Sequence, residues 1–330
     1  MQDTDHVVLD IQNLVIAFEQ LSGDVTALRG VNFQLKQGEI LGLVGESGCG
    51  KSLTALSSMK LLPKNAKIVE GDIRVNGRSL KGLSESKMRE IRGKEVSMIF
   101  QEPMTALNPL IPIGRQIEET LLIHMDLSRK ERYNRVIELL NAVGIPEPQA
   151  RFHQFPYELS GGMRQRVMIA TALACGPKVI IADEPTTALD VTIQAQMLKL
   201  LRNIRDSFQT SILLITHDMG VIADLADRVA VMYAGKIVEI APVEELFDHP
   251  THPYTVGLLN SIPSMIGDED GELQSIPGSV PDLKSLPIGC SFQARCLYAT
   301  DACIHEDPAL KLIGPDHSVA CWNPLQKGEG

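Results

Sequence analysis

The sequence predicts an α/β protein with a largely parallel sheet, antiparallel strands at its front, an α-helical subdomain and a small loop-rich C-terminal extension. Three observations predict it. Beyond residue 160, strand-sized apolar runs alternate with helical stretches, the order that builds a parallel sheet. A glycine-rich loop at Gly45–Ser52 joins an apolar strand to a helix. From His249 onward the periodicity fades into proline-rich, weakly patterned chain that includes the acidic loop Asp268–Glu272. For 330 residues, a core of roughly 200–250 residues with an appendage is the natural division. The expected domains are 1–260 and 261–330, with the helical subdomain over about 102–160.

Each element has its own local reason. Val7–Phe18 is rich in β-formers, and Ala27, Val31, Phe33 and Leu35 alternate with the period of a half-buried strand. Gly38 punctuates before Glu39–Val44, an apolar strand that runs straight into the glycine-rich loop. Lys51–Leu62 reads as a helix stopped by Pro63. Strand Val96–Phe100 and helix Arg115–Met125 come next. Ser128 and Glu131 make a capping box for a helix that runs to Val143, where Gly144 and Pro146 end it. Helix Met163–Ala174 precedes strand Lys178–Asp183, and helix Thr192–Phe208 precedes strand Ser211–Thr216.

Composition narrows the classes of function. With 44% apolar and 22% charged residues the chain has the ordinary proportions of a soluble protein able to bury a core. A net charge of −10 argues against a nucleic-acid partner, which normally meets a basic face. No apolar run approaches the ~20 residues of a membrane-spanning helix. Met1–Asp5 lacks the charged-then-apolar pattern of a signal peptide. A cytoplasmic protein is therefore expected, where disulfides are rare and six cysteines need another explanation.

Gly45-Glu46-Ser47-Gly48-Cys49-Gly50-Lys51-Ser52, with Leu53 behind it, matches the phosphate-binding loop pattern. Its glycines let backbone N–H groups converge on phosphate oxygens, and the following helix adds positive potential from its N-terminus. Lys51 reaches the terminal phosphates of a nucleoside triphosphate, and the Ser52 hydroxyl ligates Mg²⁺. Val179–Glu184 is an apolar strand ending in two carboxylates at the sheet's carboxyl edge. There Asp183 would hold the Mg²⁺ shell, and Glu184 would act as general base on the attacking water. Taken alone, the same residues would read as a strand followed by a solvated acidic turn.

Leu159-Ser160-Gly161-Gly162-Met163, opening a helix, resembles the signature motif of ATP-binding-cassette (ABC) ATPases. The other family marks follow in order. Gln101 resembles the glutamine that senses Mg²⁺ and the attacking water, and Ala188-Leu189-Asp190 resembles the D-loop. His217 resembles the switch histidine at the γ-phosphate, and Phe18 occupies the place of the aromatic residue stacked on adenine. Phe18 and Met163 depart from the usual tyrosine and glutamine without removing a reacting group. The resemblance covers about residues 7–260 and implies an ABC-type P-loop NTPase core, a RecA-like mixed sheet, using ATP and Mg²⁺.

Residues 102–109 and the C-terminal run His252-Pro253-Tyr254-Thr255, Leu258-Leu259, Pro277-Gly278 and Pro281 resemble the oligopeptide/dipeptide importer branch. That resemblance implies a peripheral subunit on the cytoplasmic side of a membrane, hydrolysing ATP to import peptides. Its partners would be a second ATPase, a paralogue, that completes the ATP sandwich with its signature motif, two transmembrane permeases and, indirectly, an extracytoplasmic peptide-binding protein. An importer of nickel or another small solute shares the pattern. A soluble ABC ATPase acting on ribosomes or DNA is disfavoured by the single cassette, the absence of heptads and the negative charge.

Cys290, Cys296, Cys303 and Cys321 are separated by 5, 6 and 17 residues in a small proline-rich region, which suggests a metal staple. No paired C-x₂₋₄-C knuckle of zinc sites occurs, whereas iron–sulfur clusters also take four thiolates. The resemblance implies a cluster, of [4Fe–4S] type, with zinc as the alternative. Cys49 fills a variable position of the phosphate loop, and Cys175, ending an apolar helix, reads as a buried inert thiol; His249, His252 and His305 are candidate ligands, though surface histidines are commoner.

Overall fold

The computed structural model describes residues 6–21, 23–102, 106–187, 190–261 and 276–326. Expectations placed on Met1–Asp5, Pro103–Thr105, Ala188–Leu189 and Asp268–Glu272 lie outside these residues. In chain order come β1 (Val7–Phe18), β2 (Val25–Lys36), β3 (Ile40–Val44), α1 (Lys51–Ser58), β4 (Ala66–Val75), β5 (Arg78–Ser79), α2 (Glu85–Ile91) and β6 (Val96–Ile99). The middle holds α3 (Ile113–His124), α4 (Arg129–Ala142), α5 (Pro148–Arg151), α6 (Gly161–Leu173), β7 (Val179–Asp183), α7 (Val191–Phe208), β8 (Ser211–Ile215) and α8 (Met219–Leu225). The last part holds β9 (Arg228–Tyr233), β10 (Lys236–Pro242), α9 (Val243–Asp248), α10 (Pro253–Asn260), α11 (Asp301–His305), β11 (Lys311–Gly314) and β12 (His317–Val319).

The chain forms two interleaved units. One takes residues 1–9, 35–39 and 74–213; the other takes residues 10–34, 40–73 and 214–330. In the first, β6 and β7 pair in parallel from Val96↔Val179 to Ile99↔Ala182, and every residue of both is buried. Strands buried throughout, and apolar but for Ser97 and the terminal Asp183, belong to sheets covered on both faces. Helices α3, α4 and α6 pack on one another. Ile113, Ile117 and Leu121 form the buried stripe of α3, and Gly114 admits the Phe152 ring where a Cβ would lie 2.3 Å from it. The capping box of α4 is complete: Glu131 N–H donates to Ser128 Oγ at 3.3 Å, and Ser128 N–H donates to Glu131 Oε2 at 2.8 Å.

In the second unit, β3 pairs in parallel with β9, and β10 pairs antiparallel with β9. The helix after β3 stops sooner than the expected Leu62. Lys60 turns left-handed at φ 49°, Leu61 N–H donates to the Leu56 carbonyl at 2.8 Å and Lys60 N–H to that of Ser57 at 3.0 Å. These two bonds close a Schellman motif, so hydrogen bonding ends α1 before Pro63 is reached.

The C-terminal region adds strands that its sequence pattern does not announce. β12 pairs antiparallel with β10 through Glu239↔Val319, and β11 pairs with β12. Glu239 is fully buried and accepts from Thr251 N–H at 2.8 Å, Thr251 Oγ1 at 2.6 Å and His252 N–H at 3.0 Å, with His317 Nε2 at 2.8 Å. Burial pushes its carboxyl up, but the hydrogen bonds from His317 and Thr251 outweigh that and hold it below the ordinary range. A buried carboxylate is tolerated only with such a full set of donors.

His252 is not the surface residue expected. It is 1% exposed and caps α10, with Nδ1 accepting from Tyr254 N–H at 3.0 Å. That acceptor role requires neutral imidazole, and burial, against the opposing charge of Glu239, lowers its pKa to about 4. The unfolded chain therefore binds more protons than the folded one from about pH 6.5 down to about pH 4, and stability falls with pH through that window. We expect urea unfolding to show about 2 kcal/mol lost through His252 between about pH 7.5 and about pH 5. His252→Asn, which keeps a capping acceptor and removes the titration, flattens that part of the profile.

Candidate active site

In the second unit, five buried residues of β3 deliver the chain to Gly45. A side chain there is impossible: a Cβ would lie 2.1 Å from the Met232 carbonyl oxygen and 2.8 Å from Cys49 Sγ. Gly50, at φ 113°, is the N-cap of α1 and supplies no capping side chain. Ser47, Gly48 and Ser52 are exposed, and the first turn of α1 carries no acidic residue. Exposed loop backbone leading into a helix with no acidic residue in its first turn is what an anion needs at a helix start.

Lys51 is 6% exposed and folds back over the loop, its Nζ donating to the carbonyls of Gly45 at 2.7 Å and Glu46 at 3.1 Å. Cys49 Sγ lies 3.8 Å from the same nitrogen, and burial raises the thiol's pKa. Leu53 is half-buried in the first turn of α1. Phe18 ends β1, also half-buried. At the end of β8, Thr216 N–H donates to the Leu43 carbonyl at 3.3 Å, which sets the exposed His217 at the strand edge where the loop begins. Asp218 then caps α8, accepting from Gly220 and Val221 N–H.

In the first unit, the β6–β7 register brings Gln101 and Glu184 to one edge. Gln101 Nε2 donates to Glu184 Oε2 at 3.1 Å, and Thr187 Oγ1 donates to the same oxygen at 2.9 Å. Asp183 is 7% exposed at the end of β7, and Glu184 is left-handed at φ 47°. A non-glycine residue in that region costs about 1–2 kcal/mol, held by its surroundings and common where side chains must be aimed. Ser160 caps α6, accepting from Met163 N–H at 3.3 Å, and Gly161 has open space where a Cβ would stand. The N-terminus of this 13-residue helix is thus exposed, with no acidic residue in its first turn. Asp190 caps α7 through Ile193 N–H at 2.9 Å; Ala188 and Leu189 beside it are outside the described residues.

Two partners of the phosphate loop have no signal in the sequence. Glu46 N–H donates to the Tyr254 hydroxyl at 2.9 Å, and the Glu46 carboxylate meets the Arg295 guanidinium. Separations of 208 and 249 residues leave no local pattern to read. Thr187 was equally unmarked.

The four C-terminal cysteines share a neighbourhood but not a ligand geometry. Cys290 N–H donates to the Cys303 carbonyl at 2.8 Å. Burial first, then the charges of Cys290, Cys296 and Cys303, push the Cys321 thiol up to about 12. Cys290 and Cys296 are raised by burial in the same way. Among the described residues no group of three or more His, Cys, Asp or Glu side chains is placed to hold a metal ion. The expected iron–sulfur cluster and its zinc alternative find no support among the described residues.

The chain matches the ABC transporter family over residues 28–187 and the C-terminal region of oligopeptide/dipeptide transporters over residues 238–303. The oligopeptide transport ATP-binding protein of Bacillus subtilis is 50% identical over 316 residues, 96% of this chain and 88% of that protein. The dipeptide transport ATP-binding protein of the same organism is 50% identical over 324 residues, 98% of this chain and 96% of that one. A dimeric ATP-binding cassette solved in a post-hydrolysis state with ADP and phosphate is similar at TM-score 0.64 and 27% identity, over 71% of this chain and 98% of that one. Among the described residues no helix is long and apolar enough to cross a membrane. With half its residues shared over nearly its whole length, the chain belongs to the ATP-binding proteins of the ABC transporter family, in the oligopeptide/dipeptide branch.

Proposed function

We propose that this chain is the ATP-hydrolysing subunit that powers import of di- and oligopeptides through a membrane ABC transporter. The observation that carries the catalytic part is Glu184, strained at φ 47° and fixed through one carboxylate oxygen by Gln101 and Thr187. Binding energy alone needs no such arrangement. A general base does, because its lone pair must be aimed at a water. The peptide substrate class is supported by relatives named for oligopeptide and dipeptide transport.

In this reading Phe18 stacks on adenine, and the donors of Gly45–Ser52 and Leu53 take the phosphates. Mg²⁺ would be held by Ser52, Gln101 and Asp183, whose hydroxyl, amide and carboxylate oxygens are the hard donors this ion takes. When bound, the ion neutralises developing charge on the phosphates. Glu184 polarises the attacking water, and His217 contacts the γ-phosphate. The exposed amino end of α6 at Ser160–Gly162 serves the nucleotide held by a second ATPase subunit, a paralogue. Residues 1–260 form the ATPase domain, with the helical subdomain at about 102–160 meeting two permeases on the cytoplasmic side of the membrane. Residues 261–330 form the extension, and a peptide-binding protein supplies the substrate from outside.

Glu184→Gln is expected to lower ATP turnover by about 100-fold or more while leaving ATP binding intact. Steady-state hydrolysis at the unsubstituted rate overturns the assignment. The finer reading of the tail as a metal-stapled module rests on its four thiols sharing one neighbourhood. Iron with acid-labile sulfide in anaerobically purified protein bears it out, and metal-free protein with four titratable tail thiols overturns it.

A further inference from the structure

Glu46 occupies an awkward place. It is a carboxylate inside a loop otherwise built to attract anions, flanked by Gly45 and exposed Ser47. Left alone, its charge opposes a triphosphate. The structure answers that charge from the far end of the chain. Arg295 Nη1 lies 2.7 Å from Glu46 Oε2 and Nη2 lies 3.0 Å from Oε1, a two-pronged pair whose arginine side chain is 4% exposed. The remaining donors are also used. Arg295 Nε donates to the Pro277 carbonyl at 2.8 Å, Nη2 reaches the Ile276 carbonyl at 3.4 Å, and Nη1 lies 3.4 Å from the Tyr233 hydroxyl.

The guanidinium also sits over the rings of Tyr233 and Phe292, 5.8 and 5.9 Å from their centroids. Tyr254 packs on both rings, at 4.6 and 5.4 Å, and its hydroxyl takes the Glu46 N–H. Backbone and side chain of one loop residue are therefore held by a single aromatic and cationic cluster. The hydrogen bond to the Glu46 carboxylate holds Arg295 well above its ordinary pKa, so the guanidinium stays charged.

We propose that Arg295 is a positioning residue for nucleotide binding: it neutralises and anchors Glu46, so that the C-terminal cysteine-bearing segment fixes the shape and charge of the phosphate loop. Gly45, Gly48 and Gly50, with φ of 151°, 79° and 113°, give this loop a conformation that free glycines hold poorly. Fixing it beforehand lowers the ordering cost that ATP would otherwise meet. Because the segment includes Cys290 and Cys296 on either side of Arg295, whatever reshapes the tail reaches the nucleotide through this pair.

The inference rests on the nucleotide reading of Gly45–Ser52, and the experiment separates the two. Binding of a fluorescent ATP analogue and steady-state ATPase activity are measured on the full chain, with thermal melting as control. Arg295→Ala is expected to weaken ATP binding and raise KM about 10-fold, with kcat changed less than about 2-fold. Arg295→Lys, which keeps the charge but loses the fork, falls between, and stands in where Arg295→Ala does not fold. Adding Glu46→Gln to either variant restores most of the lost affinity, since the stranded carboxylate is then gone. A folded Arg295 variant that melts lower yet binds ATP as tightly as the unsubstituted chain overturns the proposal. So does a double variant whose losses simply add. Lys51→Ala tests the underlying reading: retained ATP binding there sinks the nucleotide site itself, whereas lost binding there with unaffected Arg295 variants sinks only the positioning role.

Discussion

The parallel pairing of β3 with β9 is the constraint on which the nucleotide end of the molecule depends. It runs from Leu41↔Arg228 to Val44↔Val231, and apart from the half-buried Arg228 every paired residue is buried. A shift of one residue would turn the apolar set and the loop together, so the register is held by burial. The register puts Met232 beside Gly45, and the Met232 carbonyl excludes any Cβ there. From that point the chain has one way to reach α1, through a loop whose amides are not spent on sheet hydrogen bonds. Lys51, closing back on the carbonyls of Gly45 and Glu46, keeps the loop coherent before any phosphate arrives.

The same logic governs the carboxylate end. β6 and β7 are buried throughout, and their register places a glutamine and a glutamate at neighbouring strand ends. Sheet pairing supplies the position. The left-handed turn at Glu184 supplies the direction, and Thr187 fixes the carboxylate once it is aimed. Strain of this kind persists where the surroundings over-determine it, here the fully buried β7 directly behind.

What could be read from the sequence is what lies within one turn or one strand. Gly45–Ser52 was legible because its eight residues carry their own backbone requirement. The Ser128–Glu131 cap was legible because its partners are three residues apart. The strand ending in Asp183 was legible because a short run of apolar β-formers stops at two acids, although the role of those acids was not. The end of α1 was misjudged, since the sequence offers Pro63 as a stop while the Lys60 turn acts first. β11 and β12 were missed because strands of four and three residues, largely exposed in β11, show no alternation. The burial of His252 was not legible, because its partners Glu239 and the segment around Ala320 lie in elements elsewhere in the chain. The four cysteines are the reverse case: their spacing suggests a metal staple, while among the described residues no group of three or more potential ligands is gathered to hold one.

The distance along the chain between Glu46 and Arg295 also has a temporal meaning. A protein leaves the ribosome amino end first, and here 249 residues separate the loop from its guanidinium partner. At roughly 5–20 residues per second, that interval lasts about 10–50 s. During it the nascent loop carries its carboxylate without the guanidinium, and for most of it the Glu46 N–H lacks the Tyr254 hydroxyl as well. The nucleotide pocket of this protein is therefore among the last parts of it to mature, although it is encoded among the first.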